Sequence, residues 1–356
     1  MIRIGIDVGG TNTDAVVMDD RKVLHSIKAH TTEDVLGGVV AALKGVLADA
    51  AIDRDQVDVV MIGTTHFTNA VVQRKDLAPT AAVRLGLPAT ASLVPMVDWP
   101  DDLREAIGGH HFLAHGGFEF DGRKISELDP NEIERIGREI AARGIRSVAV
   151  SSVFSPVNTE MEHQAGEILR QVLGDDVHVT LSSDIGRIGL LERENAAIMN
   201  ACLRDLAHTT VQAFRDALLG VGIDAPFFLT QNDGTLMSAE TAERYPVLTF
   251  ASGPTNSMRG AAFLSGIKDA IVIDVGGTTT DVGALHGGFP REAGAAVEVG
   301  GVRTNFRMPD VFSIGLGGGS LVTGDETSGV TVGPRSVGYR LPQEGLVFGG
   351  TTLTAT

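Results

Sequence analysis

One cysteine, Cys202, is all this sequence contains. An internal disulfide and a cysteine-rich metal cluster are therefore excluded, and a reducing, cytoplasmic setting is expected. Aromatic residues make up only 5% of the chain. Positive charge is short as well: 29 Lys and Arg stand against 45 Asp and Glu, a net charge of −16. Broad nucleic-acid or anionic-membrane surfaces need an excess of positive charge, so neither partner is expected; a compact pocket for one nucleotide is not excluded. No apolar run approaches the roughly 18 residues that span a bilayer. The opening MIRIGIDVGG reaches its glycines too early to hold the apolar stretch of a signal peptide. The pair Gly-Lys occurs nowhere, which removes the P-loop.

What is present is an ordinary globular balance, 43% hydrophobic and 21% charged, and this excludes disorder. A length of 356 residues suggests about two domains. Glycine is the exception, with 44 residues clustered at 9–10, 276–277 and 315–319, each time after an apolar run. Glycine adopts positive φ at no steric cost, so such clusters mark sharp turns or close backbone approach.

An internal repeat is the strongest signal. Residues 4–14 read IGIDVGGTNTD and residues 271–281 read IVIDVGGTTTD. Apolar run, glycine turn and apolar run predict a β-hairpin in each copy. Between the copies, strand-like and helix-like segments alternate. Strands are expected at 57–62 and 147–153, and helices at 67–74, 160–173 and 190–219, the last as one long helix or two. Asp129 and Pro130 read as N-cap and first residue of a helix that ends at Gly144. Pro254 reads as the first residue of a helix through 264, and 84–123 as irregular. The pattern is an α/β chain of two lobes. The boundary falls near 176–182, giving domains 1–178 and 179–356.

The repeat has a chemical reading. Gly9-Gly10 and Gly276-Gly277 let successive N–H groups point into one concavity, a nest suited to phosphate oxygens. Thr11, Asn12 and Thr13, with Thr278, Thr279 and Thr280, add donors without charge. Asp7 and Asp274 repel phosphate but suit the Mg²⁺ that accompanies it, directly or through water. They are the candidate catalytic and metal-binding residues. The late GLGGGS run, with Gly317, Gly318 and Gly319, offers a backbone platform for a base or ribose after a strand at 311–314. A plain glycine turn is the alternative there.

Two phosphate hairpins with a late glycine-rich segment resemble the ATPase superfamily of actin, sugar kinases and Hsp70-type chaperones. More narrowly, the chain is similar to the hydantoinase A / 5-oxoprolinase family. The similarity rests on IGIDVGGTNTDAV (4–16), GTTHFTNAVVQR (63–74), LLERENAAIMNACL (190–203), NDGTLMSAETAERYPVLTFASGPTNS (232–257), IDVGGTTTDV (273–282) and IGLGGGS (314–320). It implies two actin-like, ribonuclease H-like lobes around an ATP cleft. It also implies an enzyme that uses ATP and Mg²⁺ to open a cyclic amide such as a hydantoin or 5-oxoproline, commonly with a hydantoinase B-type subunit. Homo-oligomers are possible. A non-catalytic, regulatory or chaperone-like ATP-binding module and a small-molecule kinase stay open as alternatives.

Thr64, Thr65 and Asn69, polar at the start of a helix, are candidates for substrate or inter-lobe contact, with a helix cap as the equal alternative. Glu192, Arg193 and Glu194 read as a solvated or inter-helix charge group. His110, His111 and His115 read as surface histidines of a mobile loop rather than a metal site. The family's Pro-Gly-Pro-Ala-Cys-Tyr-like stretch has no counterpart, because Val332-Gly333-Pro334 leads into a segment without cysteine. The family pattern is also expected to continue beyond Thr356.

Overall fold

The computed structural model describes residues 1–9, 12–30, 35–50, 52–294, 296–325 and 329–356. The chain begins with β1 (Ile2–Val8), β2 (Asn12–Asp19), β3 (Lys22–His30), α1 (Val35–Ala50), β4 (Val57–Thr64) and α2 (His66–Gln73). Next come β5 (Thr80–Leu87), α3 (Asp101–Ala106), β6 (His110–His115), α4 (Pro130–Ala142), β7 (Ser147–Ser152), α5 (Glu160–Leu173) and β8 (His178–Leu181). There follow α6 (Leu190–Cys202), α7 (Arg204–Gly220), β9 (Phe227–Thr230), β10 (Leu236–Ser238), α8 (Ala239–Arg244) and α9 (Ser252–Ser265). The last part holds β11 (Ala270–Val275), β12 (Thr280–His286), β13 (Phe289–Pro290), β14 (Val297–Val299) and β15 (Val302–Thr304). It closes with β16 (Val311–Ile314), β17 (Ser320–Asp325), β18 (Gly329–Ser336) and α10 (Leu341–Glu344).

Among the described residues there are five sheets: β14 pairs with β15 and β17 with β18, and three larger sheets hold the other strands. The first has the order β10-β9-β4-β1-β2-β3. In it β1, β2 and β3 are antiparallel, while β4 runs parallel to β1 and β9 parallel to β4. Strands from both sides of position 178 thus share one sheet. Alternation sends Ile4, Ile6 and Val8 to one face, where they form a core with Val39, Leu43 and Val46 of α1 and Val211, Phe214 and Leu218 of α7. The second sheet, β6-β5-β7-β8, is wholly parallel, and its core includes residues of α4 and α5. The third joins β11, β12 and β13, with β16 also on β12. Among the described residues no helix is long and apolar enough to cross a membrane.

Local signals account for much of this. Asp129 caps α4 by accepting from the Asn131 amide at 3.0 Å, Pro130 opens the helix, and Gly144 follows with φ +67°. The 190–219 periodicity resolves into two helices that meet at Leu203.

Four expectations are corrected. The 84–123 stretch is ordered, because half of β5 and all of α3 and β6 lie in it. His110, His111 and His115 therefore sit on a strand; His115 Nδ1 pairs with Glu132 at 3.1 Å, and Arg143 reaches His110 at 3.2 Å. Pro254 is the third residue of α9, not the first. Its missing N–H is harmless there, since the first helical N–H groups have no intrahelical acceptor.

The fourth concerns the charges of α6. Arg193 and Glu194 are buried rather than solvated. Glu194 takes Arg84 Nε at 2.7 Å and Ser151 Oγ at 2.6 Å. Arg193 donates to Ser182 Oγ at 3.0 Å and to the Ser152 carbonyl at 2.6 Å, and Ser182 in turn donates to Glu162 at 2.9 Å. Buried charges persist only when paired and hydrogen-bonded, and here they tie α6 to β5 and β7. Only Glu192 reaches the surface, where it meets Arg303 at 3.2 Å.

Candidate functional site

The strands of the two repeat copies pair in the same register. In the first hairpin Asp7 faces Asp14 and Val8 faces Thr13. In the second Asp274 faces Asp281 and Val275 faces Thr280. The third strands match as well: Lys28 and Ile27 oppose Asp14 and Ala15, as Ser313 and Phe312 oppose Asp281 and Val282. Gly10 and Thr11 lie outside the described residues, as does the side chain of Asn12; Gly9 and Thr13 flank them.

Helix α9 packs on both hairpin sheets, against β1 and β4 on one side and β11, β12 and β13 on the other. Ser252 Oγ donates to the Thr64 carbonyl at 2.9 Å and accepts the Thr64 amide at 3.3 Å, so the start of α9 is clamped to the end of β4. One turn on, Asn256 Nδ2 donates to Asp7 Oδ1 at 3.0 Å. Gly63 makes this possible: a Cβ there would lie 2.1 Å from Asn256 Nδ2 and 2.5 Å from Asp7 Oδ1. Farther along, Met258 packs on Gly283, whose missing side chain leaves room for it.

A cavity of about 750 Å³ opens on the α9 side of the first sheet, with Asp7, Asp14, Lys28, Asn256 and Arg259 in its wall. Lys28 Nζ pairs with Asp14 at 3.3 Å. The Asp7 carboxyl is held above the usual aspartate range, first because burial penalises its charged form and then because Asp14 and Asp274 repel it. Asn256 and Lys28 oppose the rise. The fold thus brings the two repeat aspartates within electrostatic reach. Asp14, Lys28, Asn256, Arg259 and Gly63 were not singled out from the sequence. Asp14 closes the repeated octapeptide, and Asn256 lies within the SGPTNS run, so both carried a signal.

The second turn is built from backbone. The Gly276 amide donates to the Thr279 carbonyl at 2.9 Å. Gly318 and Gly319 donate to the carbonyls of Gly276 and Gly277 at 3.0 and 2.7 Å. A Cβ on Gly317 would sit 2.6 Å from both the Gly276 carbonyl oxygen and the Thr278 nitrogen, so glycine is required by close approach. Thr280 Oγ1 donates to the Leu316 carbonyl at 2.6 Å, while Thr278 and Thr279 are exposed. Residues 276–280 and 317–319 do not line the 750 Å³ cavity.

Thr64, Thr65 and Asn69 gather beside the first hairpin, with the Thr65 amide 3.5 Å from the Val8 carbonyl. Thr64 Oγ1 accepts the His66 amide at 3.1 Å, and Thr65 Oγ1 accepts Asn69 Nδ2 at 3.3 Å. Among the described residues no group of three or more His, Cys, Asp or Glu side chains could hold a metal ion.

The fold is mixed α/β, of the actin-like type. Solved structures share the fold. The ATP-dependent caprolactamase of Pseudomonas jessenii superposes with a TM-score of 0.78 at 23% identity, covering 99% of this chain and 54% of that one. Nucleotide-free acetone carboxylase gives 0.73 at 21%, covering 99% and 53%. The family described as hydantoinase/oxoprolinase N-terminal region matches residues 3–173, and that described as hydantoinase/oxoprolinase matches residues 193–356. The chain belongs to the hydantoinase/oxoprolinase family.

Among curated relatives, the acetophenone carboxylase gamma subunit of Aromatoleum aromaticum is 27% identical over 99% of this chain and 52% of its own length. The caprolactamase subunit alpha of Pseudomonas jessenii is 26% identical over 94% and 51%. The chain spans about half the length of these relatives.

Proposed function

We propose that this chain is the ATP-using part of an enzyme that opens a cyclic amide by phosphorylating its oxygen. The observation that carries this reading is the matching place of Asp7 and Asp274 in two hairpins of nearly identical sequence and the same register, bridged by α9. Carboxylates that repel each other at such a site gain from a cation. Mg²⁺ uses one or two carboxylates and completes its shell with water and phosphate, so a site with two acids suits it. Asp7 and Asp274 would hold it, directly or through water, and the bound ion would offset charge on the phosphates. The turns at 9–13 and 276–280 would take phosphate oxygens, and 317–319 would support the adenosine. Thr64, Thr65 and Asn69 would face the substrate.

The chemistry balances. The amide oxygen attacks the γ-phosphorus as the bond to the ADP oxygen breaks. One water adds to the activated carbon and the ring C–N bond opens, leaving an acyl phosphate that a second water hydrolyses. A site for this must exclude bulk water, which favours a partner such as a hydantoinase B-like subunit. The relatives' names support partners, since two of them are subunits. A second reading, ATP-driven carboxylation, is favoured by the match to the acetophenone carboxylase gamma subunit over 99% of this chain. We place the protein in the cytoplasm, where a free buried Cys202 is at ease.

The test mixes the purified chain with Mg-ATP and a panel of hydantoins, 5-oxoproline and caprolactam, with and without a hydantoinase B-type subunit. Ring-opened product matched by phosphate supports the first reading. ATP-dependent bicarbonate uptake supports the second. No calorimetric heat and no thermal shift with Mg-ATP refutes both.

A further inference from the structure

One aspartate of the repeat is held by a side chain from α9 and the other is not. Asn256 Nδ2 donates to Asp7 Oδ1 at 3.0 Å. Asp274 has the matching register position in the second hairpin, yet among the described residues no side chain donates to it.

Helix α9 is fixed on both sides of Asn256. Before it, Ser252 grips the backbone of Thr64, and Asn232, only 2% exposed, ties down the first turn. Asn232 Oδ1 accepts the Ala251 amide at 2.8 Å, and its carbonyl accepts Thr255 Oγ1 at 2.9 Å. Asn232 Nδ2 is itself spent on the carbonyls of Val247 and Arg307, each at 3.1 Å. After it, Met258 fills the space left by Gly283. A donor carried on so anchored a helix holds its acceptor in one place, because its own freedom has already been lost in folding.

The bond also divides the work of the carboxylate. Oδ1 is taken by Asn256, while Oδ2 has no hydrogen-bond partner among the described residues. A carboxylate can accept at both oxygens, and one oxygen is enough for a cation. The donor type matters too. A lysine or arginine at 256 would neutralise the charge that attracts a cation, and an acid would repel Asp7. A neutral amide fixes the carboxylate and leaves its charge in place.

We propose that Asn256 is a positioning residue, which orients Asp7 through Oδ1 and leaves Oδ2 available to the cation that accompanies a nucleotide. The inference rests on the reading of Asp7 as a cation-holding acid. It makes the repeat aspartates unequal, with Asp7 set before any ligand arrives and Asp274 without such a brace.

Calorimetric titration of ATP at a series of Mg²⁺ concentrations tests this on the whole chain. Asn256→Ala should raise the Mg²⁺ needed for half-maximal ATP binding about 10-fold or more, as for loss of a group that orients a metal ligand. Gly63→Ala reaches the same bond from the other side, since its Cβ would meet both Asn256 Nδ2 and Asp7 Oδ1, and should raise it too. In an Asp7→Asn background Asn256→Ala should change it no further. Ile136→Val, a buried change under α4, lowers stability without touching the site and should leave it unaltered. An unchanged Mg²⁺ requirement in Asn256→Ala overturns the inference alone. So does an equal rise in Ile136→Val, which would make the effect one of stability, or an undiminished rise in the Asp7→Asn background. A parent chain that binds ATP without regard to Mg²⁺ overturns the reading of Asp7, and the inference with it.

Discussion

The two hairpins share a register and nearly the same sequence, yet one is the centre of a core and the other has an apolar face exposed. Around β1 and β2, two helices and a parallel strand remove the apolar side chains from water. Around β11 and β12, α9 covers one face and the other is open. The repeat itself therefore encodes the turn and its acid. The surroundings decide how much each copy contributes to stability.

The sharpest way to break this comparison is one substitution made in both places. Ile6→Asp buries an unpaired carboxylate in the first core and should cost about 4 kcal/mol or more, enough to prevent folding. Ile273→Asp should stay within about 0.5 kcal/mol, because its site is exposed. Urea melts of the two variants measure the difference, and equal losses would mean that the second face is covered.

A smaller effect is expected at the acids. Asp7→Asn and Asp274→Asn should each fold and each lose ATP turnover on the order of 10²-fold, as for removal of one electrostatic group from a preorganised site. If only one variant is impaired, the hairpins are not equivalent in function. Glycines come next. Gly317→Ala drives a Cβ into the second turn and should cost about 1–3 kcal/mol along with nucleotide affinity. Gly63→Ala should displace Asn256 from Asp7 instead, with calorimetric titration of Mg-ATP reading both.

The smallest effect concerns pH. The folded pKa of Asp7 lies above its unfolded value of 3.8, so the native state binds the proton more tightly. Stability from this group is therefore fully present below the unfolded pKa and is lost as pH rises through the folded pKa, after which the curve is flat. Asp7→Asn should erase that fall. Asn256→Ala removes a hydrogen bond that favours the ionised form, so it should steepen the fall and cost about 1 kcal/mol at neutral pH. Melting temperatures across pH 3–8 compare the three proteins (about the range over which such a carboxyl titrates).

Legibility followed the range of the interaction. The hairpins, the Asp129–Pro130 cap and the strand at 311–314 were readable because alternation, glycine turns and capping side chains act over a few residues. The 84–123 stretch was not, since β5 is buried along nearly its whole length and shows no alternation. The burial of Arg193 and Glu194 was hidden for a related reason: their partners Arg84, Ser151 and Ser182 come from distant strands and turns. In the site, Asp7, Asp274 and the glycine turns were legible from the repeat, whereas Lys28 and Arg259 were not.

The sequence alone determined two matching pairs of strands around glycine pairs, an acid near the end of each first strand, and the α/β alternation between them. Those features depend on backbone conformations that nearest neighbours dictate. Only the tertiary structure decided that α9 lies between the two hairpin sheets and that Asn256 reaches Asp7 past Gly63. It alone also decided that one copy of the repeat is enclosed while its twin is bare. Burial and charge coupling are sums over groups far apart in the chain, and no local pattern carries them.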